Sequence, residues 1–138
     1  MPQTFRARAR LRSYRDLIVW QVGMDLVAES YRLCGRLPRN EIFGLSAQIR
    51  RAAVGIPSNI AEGYGRIHRG DYVRFLSIAN GSLKELETEV LIAERLGYVT
   101  GDQVAEALGL AERVGRLLAA LIRRLSTPHT PHPTPGTP

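Results

Sequence analysis

Apolar residues in this chain recur every three or four positions over four separate stretches, and nowhere do they alternate with period two over a strand's length. That pattern restricts the chain to helices that bury one face, since a strand needs period two and a helix about 3.6. The first stretch puts Leu17, Trp20, Met24, Val27, Tyr31 and Cys34 on one side. It is predicted to start at Ser13, which forms a capping box with Asp16, and to stop near Arg36 ahead of Pro38, a length of about 35 Å. The third stretch, from about Asp71 to Leu96, carries Tyr72, Leu76, Ala79, Leu83, Leu86, Val90 and Ala93, with Asp71 placed to cap and Gly97 to terminate. The fourth opens on a Thr100–Gln103 capping box and presents Val104, Leu108, Ala111, Val114, Leu118, Leu121 and Leu125. Short connections favour antiparallel neighbours, so the fold class is all-α: an antiparallel up-down-up-down four-helix bundle.

The second stretch, from about Glu41 to Glu62, is apolar or small over most of its circumference. Leu45, Ile49, Ala52, Ile56 and Ile60 form one side, and Ala47, Val54 and Ala61 recur every seven residues on the other with Ser58 beside them. A helix of that kind is buried on two sides. In a four-helix chain the simplest second cover is another copy, so Ala47, Val54, Ser58 and Ala61 are the expected oligomer interface. Pro57 removes one N–H inside this stretch and predicts a kink. Gln48 and Asn59 lean toward its core side, where a structural hydrogen bond to a neighbouring helix or subunit is the expected use.

Length and charge divide the chain. With 138 residues there is room for one modest core. Residues 1–12 read as a basic disordered arm, 13–125 as the bundle, and 126–138, with five prolines, as a disordered tail leaning to polyproline II. Five arginines and no acid lie within residues 1–15, which accounts for +5 of the net +6. Of the 19 basic residues only Lys84 is not arginine, and the planar guanidinium fork suits phosphate. Arg6, Arg8, Arg10 and Arg12 therefore point to a polyanion, RNA or DNA. A second basic group, Arg50, Arg51, Arg66, Arg69 and Arg74, surrounds helix two and its exit near Tyr64 and Tyr72, and has two readings: a surface that grips phosphates and stacks a base, or an ordinary solvated face.

Catalytic and metal chemistry find little support. The lone Cys34 excludes an intrachain disulfide and a thiolate zinc cage, and fits a reducing, cytoplasmic setting. His129 and His132 lie in the tail and His68 in a basic connection. Glu85, Glu87, Glu89 and Glu94 lack the histidine partners of a di-metal bundle and read as a solvated helix face. Gly63, Gly65 and Gly70 follow a helix and not a strand, so they form no dinucleotide loop. The expectation is a protein that is no enzyme, uses no cofactor or metal and does not enter a membrane.

Four segments carry a family resemblance: DLIVWQ at 16–21, LPRNEIFGLSAQIRRAAVGIPSNIAEGYGR at 37–66, FLSIANGSLKELET at 75–88 and LGYV at 96–99. They resemble the bacterial four-helix-bundle proteins encoded by intervening sequences within large-subunit ribosomal RNA genes. The resemblance covers about half of the chain. It implies a homopentameric, barrel-like assembly, and it extends to accessory proteins of diversity-generating retroelements, which bind nucleic acid and a reverse transcriptase. Gly55 stands where serine is common and Asn80 where arginine is frequent; no catalytic residue is implied. The function expected is a non-enzymatic, oligomeric, nucleic-acid-binding accessory protein. The alternative is a structural module that binds protein alone.

Overall fold

The computed structural model describes residues 11–126. Four helices, α1 (Ile18–Cys34), α2 (Leu45–Tyr64), α3 (Arg69–Arg95) and α4 (Gly101–Ser126), follow one another with no strand among the described residues. Each packs against two neighbours, α1 and α3 both lying against α2 and α4, while the backbones of the diagonal pairs stay apart. That is the square cross-section of a four-helix bundle. Leu26, Leu33, Ile49, Ile56, Ile60, Leu76, Leu83, Leu86 and Leu118 are fully buried at its centre. Arg6, Arg8 and Arg10, and residues 127–138 of the Pro-rich tail, lie outside the described residues.

The helix ends show why local chemistry sets these boundaries. Gly97 takes φ +81°, and the N–H groups of Tyr98 and Gly97 return to the carbonyls of Ala93 and Glu94, closing α3 in a Schellman turn. Thr100 and Gln103 exchange the reciprocal bonds of a capping box, 3.0 and 3.2 Å long. Other boundaries differ from the sequence reading. Ser13 caps only a 3-10 turn, Tyr14–Asp16; Leu17 is extended, so α1 starts at Ile18 and its 17 residues span about 25 Å. Before α2 a second 3-10 turn, Arg39–Glu41, takes up the Pro38 corner. The Glu41 carboxylate then accepts from Leu45 N–H at 2.9 Å and starts α2 four residues later than expected. Its other oxygen accepts from the Tyr98 hydroxyl at 2.8 Å, which ties the α1–α2 and α3–α4 connections together. These two donors hold the Glu41 carboxyl below its ordinary range. Asp71 sits inside the first turn of α3, two residues after the helix begins, where its charge suits the helix dipole.

The buried faces of α2, α3 and α4 follow the predicted registers, with Tyr72, Leu108 and Leu125 half-buried at the edges. The first helix does not follow its predicted register. Its core face is Val19, Val22, Leu26 and Leu33, whereas Met24 and Tyr31 are 43% and 48% exposed. The α2–α3 pair comes close enough to exclude side chains. A Cβ on Gly63 would lie 2.8 Å from the Phe75 Cβ and 3.2 Å from the Tyr72 carbonyl oxygen, while one on Gly81 would meet nothing. Overpacking costs about 1–3 kcal/mol and alanine's helix propensity returns up to about 1. Gly63→Ala is therefore expected to lower the melting temperature by a few degrees and Gly81→Ala to raise it, opposite signs that one calorimetric comparison checks.

Candidate nucleic-acid interface and assembly face

Antiparallel connectivity brings the starts of α1 and α3 and the ends of α2 and α4 to one end of the bundle. Arginine is concentrated there. Arg12 and Arg15 precede α1, Arg66 follows α2, Arg69 and Arg74 open α3, and Arg123 and Arg124 close α4. Among the described residues, the acids at the same end are Asp16, Glu62 and Asp71. The Arg124 charge acts on the Tyr72 hydroxyl, which places the end of α4 beside the start of α3.

The most ordered part of this surface is built on Phe75. Its ring is 8% exposed, and the guanidinium carbons of Arg66 and Arg74 stand 4.6 and 4.9 Å from its centroid. Cation–π contact holds both planar forks in place before any ligand arrives. Arg66 also pairs with Glu62 at 2.9 Å, and this offsets part of its charge. Arg69 and His68 are exposed in the same connection. Tyr64 and Tyr72 contact each other edge to face at 6.0 Å and are half-buried, so they brace the α2–α3 corner instead of offering two open stacking faces. Burial also pushes the Tyr72 hydroxyl up from its ordinary value.

The second basic group expected from sequence separates into two. Arg50 and Arg51 lie in the first half of α2, and Arg50 is about 21 Å along the axis from Tyr64. Arg50 stacks over Tyr31 at 5.9 Å and donates to the Ile42 carbonyl at 3.2 Å, beside a cavity of about 310 Å³ lined in part by Cys34 and Arg39. Cys34 is buried, and its thiol donates weakly to the Ser46 carbonyl at 3.6 Å; burial pushes it up. Arg51 is exposed on another side. Gln48 is exposed and Asn59 donates to the Gly55 carbonyl of its own helix at 2.7 Å, so neither amide serves a neighbouring helix.

The outer side of α2 meets α1 in an apolar groove of about 330 Å³. Its lining is Tyr14, Trp20, Met24 and Val27 on one wall and Val54, Pro57, Ser58 and Ala61 on the other. Three of the four expected interface residues are therefore in one groove; Ala47 lies farther along the same helix and is half-buried. Trp20, Met24 and Val27 are the face that the sequence assigned to the core of α1. Among the described residues, no charged side chain lines the groove.

Glu89, expected on a solvated face, is 7% exposed, and its Oε1 makes no hydrogen bond. Burial raises its carboxyl above the ordinary value, Glu85 adds to the rise and Arg51 opposes it. A raised native carboxyl is a stability loss that grows as pH climbs from the unfolded value through the folded one. Glu89→Gln is expected to raise the urea midpoint at pH 7 and to match the parent below about pH 4. Equal midpoints at pH 7 would show that the carboxylate is compensated. Among the described residues, no three His, Cys, Asp or Glu side chains gather as a metal site, and no helix is long and apolar enough to cross a membrane.

The fold and the arginine-rich end define a four-helix bundle with one basic pole. The family profile of the 23S rRNA-intervening sequence protein matches residues 15–120, and the chain belongs to that family. A crystal structure of a protein of unknown function from the S23 ribosomal protein family of Bacteroides thetaiotaomicron is similar in fold, with a TM-score of 0.72. It is 24% identical, and the match covers 77% of this chain and 99% of that one. No curated protein matches the chain.

Proposed function

We propose that this protein is a non-enzymatic, oligomeric nucleic-acid-binding protein that offers a ring of basic poles to an RNA or DNA backbone. The observation that carries this reading is the pole itself: seven arginines against three acids, two of the seven held on the Phe75 ring. Arg6, Arg8 and Arg10 precede Leu11 directly in sequence and add three positive charges to the chain. A five-fold closed assembly, the number that the resemblance implies, would set the poles around one axis and multiply the field. The groove between α1 and α2 is the contact that favours assembly. A kink at Pro57 would set the angle of α2 within it. The family's name links it to an intervening sequence of 23S rRNA, so a fragment of structured ribosomal RNA is the first probe. A reverse transcriptase is the enzyme partner that the resemblance adds.

The test is a titration of a labelled fragment of structured ribosomal RNA, single-stranded RNA and duplex DNA at several salt concentrations. Strong binding at low salt that falls linearly in log K against log salt supports a backbone contact. No binding at low salt overturns it. The protein-binding module then takes its place, favoured by the open apolar groove.

A further inference from the structure

We infer that the groove between α1 and α2 is a docking site for the chain's own Pro-rich tail, which occupies it in the free protomer and yields it on assembly. The lining combines aromatic walls with hydrogen-bond donors. Tyr14 and Trp20 contact each other edge to face at 5.3 Å, Met24 and Val54 are 43% and 40% exposed, and Tyr14, Trp20 and Ser58 carry O–H or N–H groups. A polyproline II segment fits such a wall. It has no internal hydrogen bonds, its carbonyls remain free to accept, and it has already lost most of the entropy that docking removes.

Two segments of the chain lie beyond the described residues, and charge chooses between them. Residues 1–10 hold Arg6, Arg8 and Arg10, which would be desolvated against an uncharged lining already rimmed by Arg15, 5.8 Å from the Tyr14 ring centroid. Residues 127–138, TPHTPHPTPGTP, contain five prolines and no Asp, Glu, Lys or Arg. The tail is also long enough to arrive. Ser126 ends α4 at the pole where α1 starts, and α4 packs on α1, so the tail must cross one helix, about 10 Å, to reach the groove. Twelve residues in polyproline II reach about 37 Å, enough to cross and then run from Ala61 to Val54, a further 10 Å or so.

Trp20 is the only tryptophan, so its emission reports on the groove directly. The experiment compares the full chain with its Pro131→Ala/Pro133→Ala/Pro135→Ala variant over a dilution series, following emission and light scattering together, with a synthetic peptide of residues 127–138 as the probe in trans. At dilutions where scattering reports protomers, the variant should emit further to the red, and the peptide should reverse that shift in the variant while leaving the parent unchanged. Tethering supplies an effective concentration of about 1 mM, so a tail that binds in trans at about a tenth of that fills the groove about ten to one. The variant should then assemble at about ten-fold lower concentration than the parent. Identical emission and identical assembly in parent and variant, with no response to millimolar peptide, overturn the proposal. So does an emission change that tracks protein concentration equally in both, since the occupant is then a second copy alone. Salt-dependent nucleic-acid binding is read on a different surface and without Trp20, so it stands or falls separately.

Discussion

Replacing Arg66, Arg69 and Arg74 together with alanine is expected to weaken binding to single-stranded RNA and duplex DNA alike, and to flatten its salt dependence. Each phosphate neutralised contributes about −0.7 to −0.9 to the slope of log K against log salt, so three lost contacts remove roughly 2 to 3 units. Because the term is electrostatic, the deficit should be largest at low salt and close as salt rises. Deleting residues 1–12 removes four arginines and should take roughly 3 to 4 units for each engaged arm. The two effects should add if arm and pole contact different phosphates. The double change Arg50→Ala/Arg51→Ala is the internal control, since both side chains lie in the half of α2 remote from the pole. Arg66→Lys/Arg74→Lys separates charge from geometry: lysine keeps the charge and gives up the planar fork, so the slope should persist while affinity drops. If the triple variant keeps the parent's slope, the Phe75 surface is structural. If it loses helicity, the arm deletion still decides whether a polyanion is bound at all.

Arg66 and Arg74 are neighbours in space as in sequence, but the rest of the arginine grouping differs between the two. Arg50 and Arg51 precede Arg66 by about four turns of helix, which sequence distance alone does not convey. Arg12, Arg15 and Arg124 join Arg66 only through connectivity. Alternating helix direction puts odd-numbered starts and even-numbered ends together, so this grouping was available as soon as four antiparallel helices were predicted. The helices themselves were legible where one apolar stripe dominated, as in α3 and α4. On α1 two stripes compete at the same period. Glu29 and Ser30 interrupt the inner one, Val19, Val22, Leu26 and Leu33, whereas the larger Trp20, Met24 and Tyr31 make the outer one look like a core. Periodicity measures spacing and not which stripe meets α2 and α4. Glu89 was hidden for a related reason: its companions Glu85, Glu87 and Glu94 on α3 are all exposed or half-exposed, and nothing in the residue type marks the one turned inward.

The outer stripe has its own consequence, and Val54→Glu tests it. Val54 is 40% exposed in the protomer and lines the groove beside Pro57, on the wall opposite Met24 and outside the bundle core. A carboxylate there remains wet in the single chain, so helicity and the protomer's melting transition should change little. In an assembly that covers the groove the same carboxylate is buried without a partner, at a cost on the order of 3–5 kcal/mol per contact. That is enough to lower an association constant by two to three powers of ten, or more. Light scattering at micromolar concentration should report a large species for the parent and a smaller one for the variant. Val54→Ala, which removes methyl groups without adding charge, should retain most of the assembly. The same charge repels no phosphate at the pole from a distance greater than a Debye length, about 8 Å at physiological salt, so each protomer should still bind RNA, but without the gain that several poles on one ring provide. A parent that is monomeric at micromolar concentration, or a variant that assembles as the parent does, would mean that α2 is covered on one side only and that its small outer residues serve the tail or solvent.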